Sequence, residues 1–125
     1  MLAGMRPQIL VVDDEPGVAR ALRRLLDEHE VVVAHGGEPA RAQLSAQADW
    51  DLVLCDLMMP DLNGMELYAW VLEQRPRLAS RFVFITGGAF TDRARAFADQ
   101  MAGRLLHKPF SAAAVQALLQ GAGAG

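Results

Sequence analysis

Short apolar runs and longer amphipathic stretches alternate along the whole chain. Residues 9–12, 31–34, 52–55, 82–85 and 105–107 read as strands, and the first four are near-continuous apolar runs, as expected of strands covered on both faces. Between them the apolar spacing becomes helical. Val18, Leu22, Leu25 and Leu26 fall on one side of a helix, with Arg20, Arg23, Arg24 and Asp27 on the other. A second helix is expected to open at Glu38 and Pro39 after a flexible Gly36-Gly37 entry, and a third to run from about Gly64 to Gln74 and stop before Pro76. Thr91 reads as the N-cap of a fourth, with Ala94, Phe97, Ala98 and Met101 inward and Gly103 as its stop; Ser111 caps a fifth that runs to about Gln120. Five rounds of strand and helix predict an α/β fold, a doubly wound five-stranded parallel sheet with five helices in three layers, α/β/α.

Length and composition narrow this further. The chain has 125 residues, 52% of them hydrophobic, enough for one domain with a core that needs no disulfide or metal staple. Residues 1–7 read as a leader, 8–120 as the domain, and the alternating Gly and Ala of 121–125 as a flexible tail or the start of a linker. The single cysteine, Cys55, has no internal partner for a disulfide, which points to a reducing compartment, and the leader lacks the apolar region of an export signal. The expected location is the cytoplasm. No run approaches the roughly 18 apolar residues of a membrane span. Lys plus Arg at 12 against Asp plus Glu at 15 gives a net charge of −3 with no basic stripe, so neither direct nucleic-acid binding nor a membrane surface is expected.

Ligands of an open parallel sheet sit beyond the carboxyl ends of its strands, so chemistry is sought there. Strand one ends in Asp13 and Asp14, strand three in Asp56, strand four in Thr86 followed by Gly87-Gly88, and strand five in Lys108 followed by Pro109. Converging carboxylates raise one another's pKa unless a cation holds them charged. Mg²⁺ answers that need, because it prefers oxygen ligands and is usually held by one or two carboxylates together with a phosphate. A lysine and a threonine at neighbouring strand ends supply a point charge and a hydroxyl donor for a phosphoryl group. The set reads as a phosphoryl-transfer site, and the lack of a glycine-rich phosphate loop disfavours a nucleoside triphosphate as donor.

Four motifs lie in order at these strand ends: Val11-Val12-Asp13-Asp14-Glu15-Pro16, Leu54-Cys55-Asp56-Leu57-Met58-Met59-Pro60 with Asn63-Gly64, Ile85-Thr86-Gly87, and His107-Lys108-Pro109-Phe110. Together they resemble the receiver domain of two-component response regulators, over about residues 8–120. The resemblance implies a flavodoxin-like strand order, 2-1-3-4-5. It implies that Asp56 is the phosphoacceptor, taking a phosphoryl group from a phosphohistidine of a histidine kinase or phosphotransfer protein. It further implies Mg²⁺ held by Asp13, Asp14, Asp56 and the Met58 backbone carbonyl, with Lys108 and Thr86 on the phosphoryl oxygens and a cis bond before Pro109. Such a domain catalyses its own phosphorylation and slow dephosphorylation; it is not a free-standing enzyme.

The chain departs from the family pattern at three positions. Many receivers carry an aromatic residue three positions before the lysine, where this chain has Leu105, so a switch is expected to run through Thr86, the Gly87-Gly88 loop and the fourth helix. Met58 and Gly88 occupy positions that influence hydrolysis of the acyl phosphate, and neither offers a polar side chain to position water. A fast-hydrolysing phosphoform is therefore not expected.

Other residues read more simply. Glu15 is a first-turn acid favoured by the helix dipole; Cys55, Met59, Trp50 and Trp70 pack, Met58 lies on the surface near the site, Asp61 and Asn63 are loop and cap residues, and His107 points away from the lysine and binds no metal. Residues 112–119 carry no charge, which suggests a covered face, a partner or homodimer surface formed by the fourth helix, fifth strand and fifth helix. Output is expected through an effector or downstream domain outside this chain, and the stretch from Phe84 to Pro109 is similar to the receivers of hybrid histidine kinases. The competing readings are a receiver-like interaction module that no longer takes phosphate, a haloacid dehalogenase-type hydrolase, which needs Asp-x-Asp, and a dinucleotide-binding fold, which needs a glycine motif absent after the first strand.

Overall fold

The computed structural model describes residues 7–47, 49–87 and 91–124. Residues 1–6, which make up most of the expected leader, together with Gly88, Ala89 and Phe90, lie outside the described residues. In chain order the elements are β1 (Gln8–Val12), α1 (Pro16–Leu25), β2 (Glu30–Ala34), α2 (Gly37–Ala46), β3 (Leu52–Asp56), α3 (Gly64–Gln74), α4 (Pro76–Ala79), β4 (Phe82–Thr86), α5 (Asp92–Gln100), a 3-10 turn (Ala102–Arg104), β5 (Leu105–His107) and α6 (Ala112–Ala124). The strand order is β2-β1-β3-β4-β5, parallel throughout, as expected. None of the described helices is long and apolar enough to cross a membrane.

Period-two alternation along the central strands feeds two cores. Ile9, Val11, Leu54, Val83 and Ile85 pack with Leu22 of α1 and Val115 of α6 on one face. Leu10, Val12, Val53, Cys55, Phe82 and Phe84 pack with Leu44 of α2, Leu67 and Val71 of α3, Leu78 of α4 and Ala94 of α5 on the other. The result is the expected three-layer sandwich. β2 does not follow the two-face expectation, for it is an edge strand with Glu30 and Val32 exposed and Val31 and Val33 half-buried.

The helices differ from the expectation in detail. Six α-helices are present among the described residues where five were expected, because Pro76, read as a stop, occupies the first position of the one-turn α4, where a missing N–H goes unnoticed. Three expected caps form. Asn63 Oδ1 accepts from Glu66 N at 2.9 Å in a reciprocal capping box, Thr91 Oγ1 accepts from Ala94 N at 3.0 Å, and Ser111 Oγ accepts from Ala114 N at 3.1 Å. Gly103 is not the stop of α5, which ends at Gln100 with Met101 as its C-cap; Gly103 lies in the following 3-10 turn. α6 continues to Ala124, past the expected end at Gln120. Gly36 and Gly37 are buried, not a loose entry to α2.

One side chain that the periodicity passed over ties the lower end of the sheet, where the strands begin. Arg104 Nε donates to the Phe82 carbonyl at 2.9 Å, its Nη2 donates to the Ala79 carbonyl, and its Nη1 reaches Tyr68 Oη at 3.3 Å, with the guanidinium 5.6 Å from the centre of the Tyr68 ring. Tyr68 in turn meets Phe82, Phe84 and Phe97 edge-on, with ring centres 5.3–5.8 Å apart. Replacing Arg104 by Ala leaves two carbonyls short of a donor, and urea unfolding is expected to show a loss of about 1–3 kcal/mol. Arg104→Lys recovers only part of it, since an ammonium lacks the planar fork that reaches three partners at once.

Candidate functional site

The parallel register brings the polar strand ends to one edge. Asp13 follows β1, and its N–H extends the ladder to the Ala34 carbonyl at 3.1 Å. Asp56, the last residue of β3, stands opposite Ile85, and the next N–H, from Leu57, donates to the Ile85 carbonyl at 3.0 Å. Thr86 ends β4 opposite His107, and its carbonyl accepts from Lys108 N at 2.8 Å. Backbone ladders therefore fix the Cα positions of all four residues before their side chains are considered.

The side chains then converge. Asp13 is fully buried; its Oδ1 accepts from Glu15 N at 2.9 Å, and its Oδ2 is buried without a hydrogen bond. Asp56, 4% exposed, accepts from Met58 N at 3.2 Å through Oδ1. Lys108 Nζ lies 3.5 Å from Asp13 Oδ2, 3.5 Å from Asp56 Oδ2 and 3.0 Å from Glu15 Oε1. Thr86 is buried at the adjoining strand end. The Lys108–Pro109 bond is cis.

Burial and like charge set the electrostatics. Desolvation, followed by the Asp13 charge, pushes Asp56 up to about 6 against the stabilising pull of the Met58 N–H and Lys108, and Asp14 adds to the rise. Asp13 is raised as well, chiefly by burial, although the Glu15 N–H and Lys108 oppose this. Burial alone would lower the Lys108 ammonium, but its hydrogen bond to Glu15 and the charges of Asp56 and Asp13 outweigh burial and hold it above its ordinary value. The adjacent Cys55 thiol is pushed well up by burial and then by Asp56 and Asp13, so it stays a packed, protonated thiol.

The structure brings together Asp13, Asp56 and Lys108, as the sequence suggested, and places Thr86 beside them. Asp14 is half-buried and lies near enough to raise Asp56, but the acidic set that converges among the described residues is Asp13, Glu15 and Asp56, with one oxygen from each within 4.8 Å of the others. Glu15 is thus more than a helix-dipole acid. It is the N-cap residue of α1, provides no side-chain cap, and reaches across to Lys108. Its place beside Asp13 at a strand end was the available signal. Met58 is exposed, Met59 is buried, and Leu105 packs half-buried against the same core cluster as Phe84. His107 is exposed.

Hard oxygen donors and a buried, unbonded carboxylate oxygen suit a hard divalent cation, and three carboxylates facing one ammonium leave the pocket short of positive charge. The group could therefore hold a metal ion.

Comparison with known proteins agrees with the geometry. The response regulator receiver domain family matches residues 9–120. The transcriptional regulatory protein ResD of Bacillus subtilis is 34% identical over 107 residues, covering 83% of this chain and 42% of ResD. The sensor protein GacS of Pseudomonas syringae pv. syringae is 31% identical over 116 residues, 88% of this chain and 13% of GacS. The chain thus spans less than half the length of these relatives. The crystal structure of a response regulator receiver domain protein from Clostridium thermocellum superposes with a TM-score of 0.77 at 26% identity, covering 93% of both chains. The fold, the polar strand ends and this match over nearly the whole chain make it a member of the response regulator receiver domain family of two-component systems.

Proposed function

We propose that this receiver accepts a phosphoryl group on Asp56 from the phosphohistidine of a histidine kinase or phosphotransfer protein, in a Mg²⁺-dependent reaction, and passes the signal on by changing its partner-binding surface. The observation that carries this reading is the buried Asp56 carboxylate with Lys108 Nζ 3.5 Å from one of its oxygens. In the transfer an Asp56 oxygen attacks phosphorus, the phosphorus–nitrogen bond breaks, and its electron pair returns to the donor imidazole, which then takes a proton. Little covalent work is left to the protein beyond positioning and charge stabilisation.

Each residue has a part in that. The Met58 N–H holds one Asp56 oxygen, which leaves the other to face the donor. Lys108, kept protonated by its three acidic neighbours, meets an incoming phosphoryl oxygen. The Thr86 hydroxyl donates to a second. Asp13, Asp14, Asp56 and the Met58 carbonyl would hold Mg²⁺, with Glu15 as a further acidic group at the same edge. Bound there, Mg²⁺ supplies neutralisation of the charge on the phosphoryl oxygens.

Output passes to an effector or downstream domain outside this chain, of the kind implied by relatives as different as a transcriptional regulator and a sensor protein. The face of α5, β5 and α6, with exposed Ala112, Ala113 and Ala117, is the surface proposed for that contact or for a homodimer. Leu105 cannot act as an aromatic switch, so the response to phosphate starts from Thr86.

Incubation with acetyl phosphate and Mg²⁺ is expected to add one phosphoryl group to the wild-type chain by intact mass and none to Asp56→Asn. An unmodified wild type overturns the reading. Stability supplies a second test. Asp56 has a folded pKa raised to about 6, above its value of 3.8 when unfolded, so its contribution to stability is fully present below pH 3.8 and is lost as pH rises through 6. Without Mg²⁺ at pH 7.5, Asp56→Asn is therefore expected to be more stable than wild type by on the order of 1–3 kcal/mol in urea, and the gap should close near pH 4.

A further inference from the structure

We propose that Asp61 is a positioning residue for the Asp56 site, holding the loop that follows β3 against the start of α2. The catalytic half of this inference rests on the phosphoacceptor reading above; the metal-binding half stands apart from it. Asp61 accepts from Gly37 N at 3.1 Å through Oδ1 and from Glu38 N at 3.0 Å through Oδ2. These N–H groups belong to the first turn of α2, where no intrahelical acceptor exists, and the N-cap residue, Gly36, has no side chain to offer. The cap is instead supplied from 24 and 23 residues downstream, by the loop that starts at the phosphoacceptor strand. Hydrogen bonds, from Glu38 first and then from Leu62, hold the Asp61 carboxyl below its ordinary value, so it faces the positive end of the helix fully charged at neutral pH.

The surrounding backbone is shaped for this contact. A Cβ on Gly36 would stand 2.9 Å from Asp61 Oδ2, and one on Gly37 would overlap the Leu62 carbonyl oxygen. At the other end of the loop, a Cβ on Gly64 would stand 2.5 Å from the Asp56 carbonyl oxygen. Three glycines thus allow residues 57–63 to lie against two elements at once. Leu57 N donates to Ile85, Gly64 N donates to Leu57, both at 3.0 Å, and Met59 is buried in the core. The outer limb, beyond Pro60, is tied to α2 through Asp61. Met58, three residues before Asp61, holds Asp56 Oδ1 by its N–H. A loop freed from α2 no longer fixes that backbone against Asp56.

The test uses the full chain and two readouts: Mg²⁺ affinity by titration calorimetry and the initial rate of phosphorylation by acetyl phosphate. Asp61→Ala is expected to weaken Mg²⁺ binding about tenfold and to slow phosphorylation by a similar factor, in line with the loss of a group that orients a metal-site ligand. Gly37→Ala should reproduce both effects from the opposite side of the contact, with Asp61 intact. Asp61→Asn should recover part of each, because its amide oxygen still accepts from one N–H. Arg81→Ala is the control for general destabilisation: it removes a 3.6 Å ion pair to Asp51 and a 3.2 Å hydrogen bond to the Trp50 carbonyl at the far end of the sheet, and should lower Tm without changing either readout. Folded Asp61→Ala and Gly37→Ala proteins with wild-type Mg²⁺ affinity overturn the inference. If Asp61→Ala does not fold, Gly37→Ala and Asp61→Asn make the same comparison. A wild type that binds Mg²⁺ but gains no phosphoryl group defeats the phosphoacceptor reading while the Mg²⁺ affinities still decide the role of Asp61, and a wild type that binds no Mg²⁺ defeats both.

Discussion

A buried carboxylate is tolerated only beside a compensating charge, and at this sheet edge a single ammonium, Lys108 Nζ, serves three carboxylates. The rest of the structure can be traced to that constraint. Asp13 follows β1, Asp56 ends β3 and Lys108 follows β5, three strands that meet at one level only because every pairing is parallel and in the observed register. An antiparallel sheet would scatter them to opposite edges. The two cores, one on each side, exclude water from the strands up to their last residue, which is why Asp13 and Asp56 sit in low dielectric although they stand at the end of the sheet.

The compensation is incomplete by design of the residues present. Burial first and the Asp13 charge second leave Asp56 with a raised pKa, and Asp13 keeps an oxygen that no hydrogen bond satisfies. Positive charge brought to this edge is therefore favoured by the residues present. The family match places this arrangement of charge in a receiver domain.

Much of this was legible in the sequence. Apolar runs ending in Asp, Asp, Thr and Lys locate both the strands and the site, because a strand's hydrophobic pattern and the polar residue that ends it are adjacent in the chain. Contacts between distant positions were not legible. Glu15 and Lys108 are separated by 93 residues, so nothing local distinguishes a helix-dipole acid from a lysine partner. The cap that Asp61 gives to α2 and the carbonyls that Arg104 collects are hidden for the same reason, and Gly36-Gly37 looked like freedom where it was in fact close approach. α4 was missed because four residues carry no readable period.

Arg104 has a mechanical consequence. It fastens α3, α4 and the beginning of β4 at the edge of the sheet opposite Asp56, just before β5 begins. That fastening and the β4–β5 ladder secure the two ends of β4 by different means, a side chain at its base and backbone pairing up to Thr86. One guanidinium therefore carries the connection of two helices to the foot of a central strand, so that the seating of α3 and α4 on the sheet depends on a single side chain.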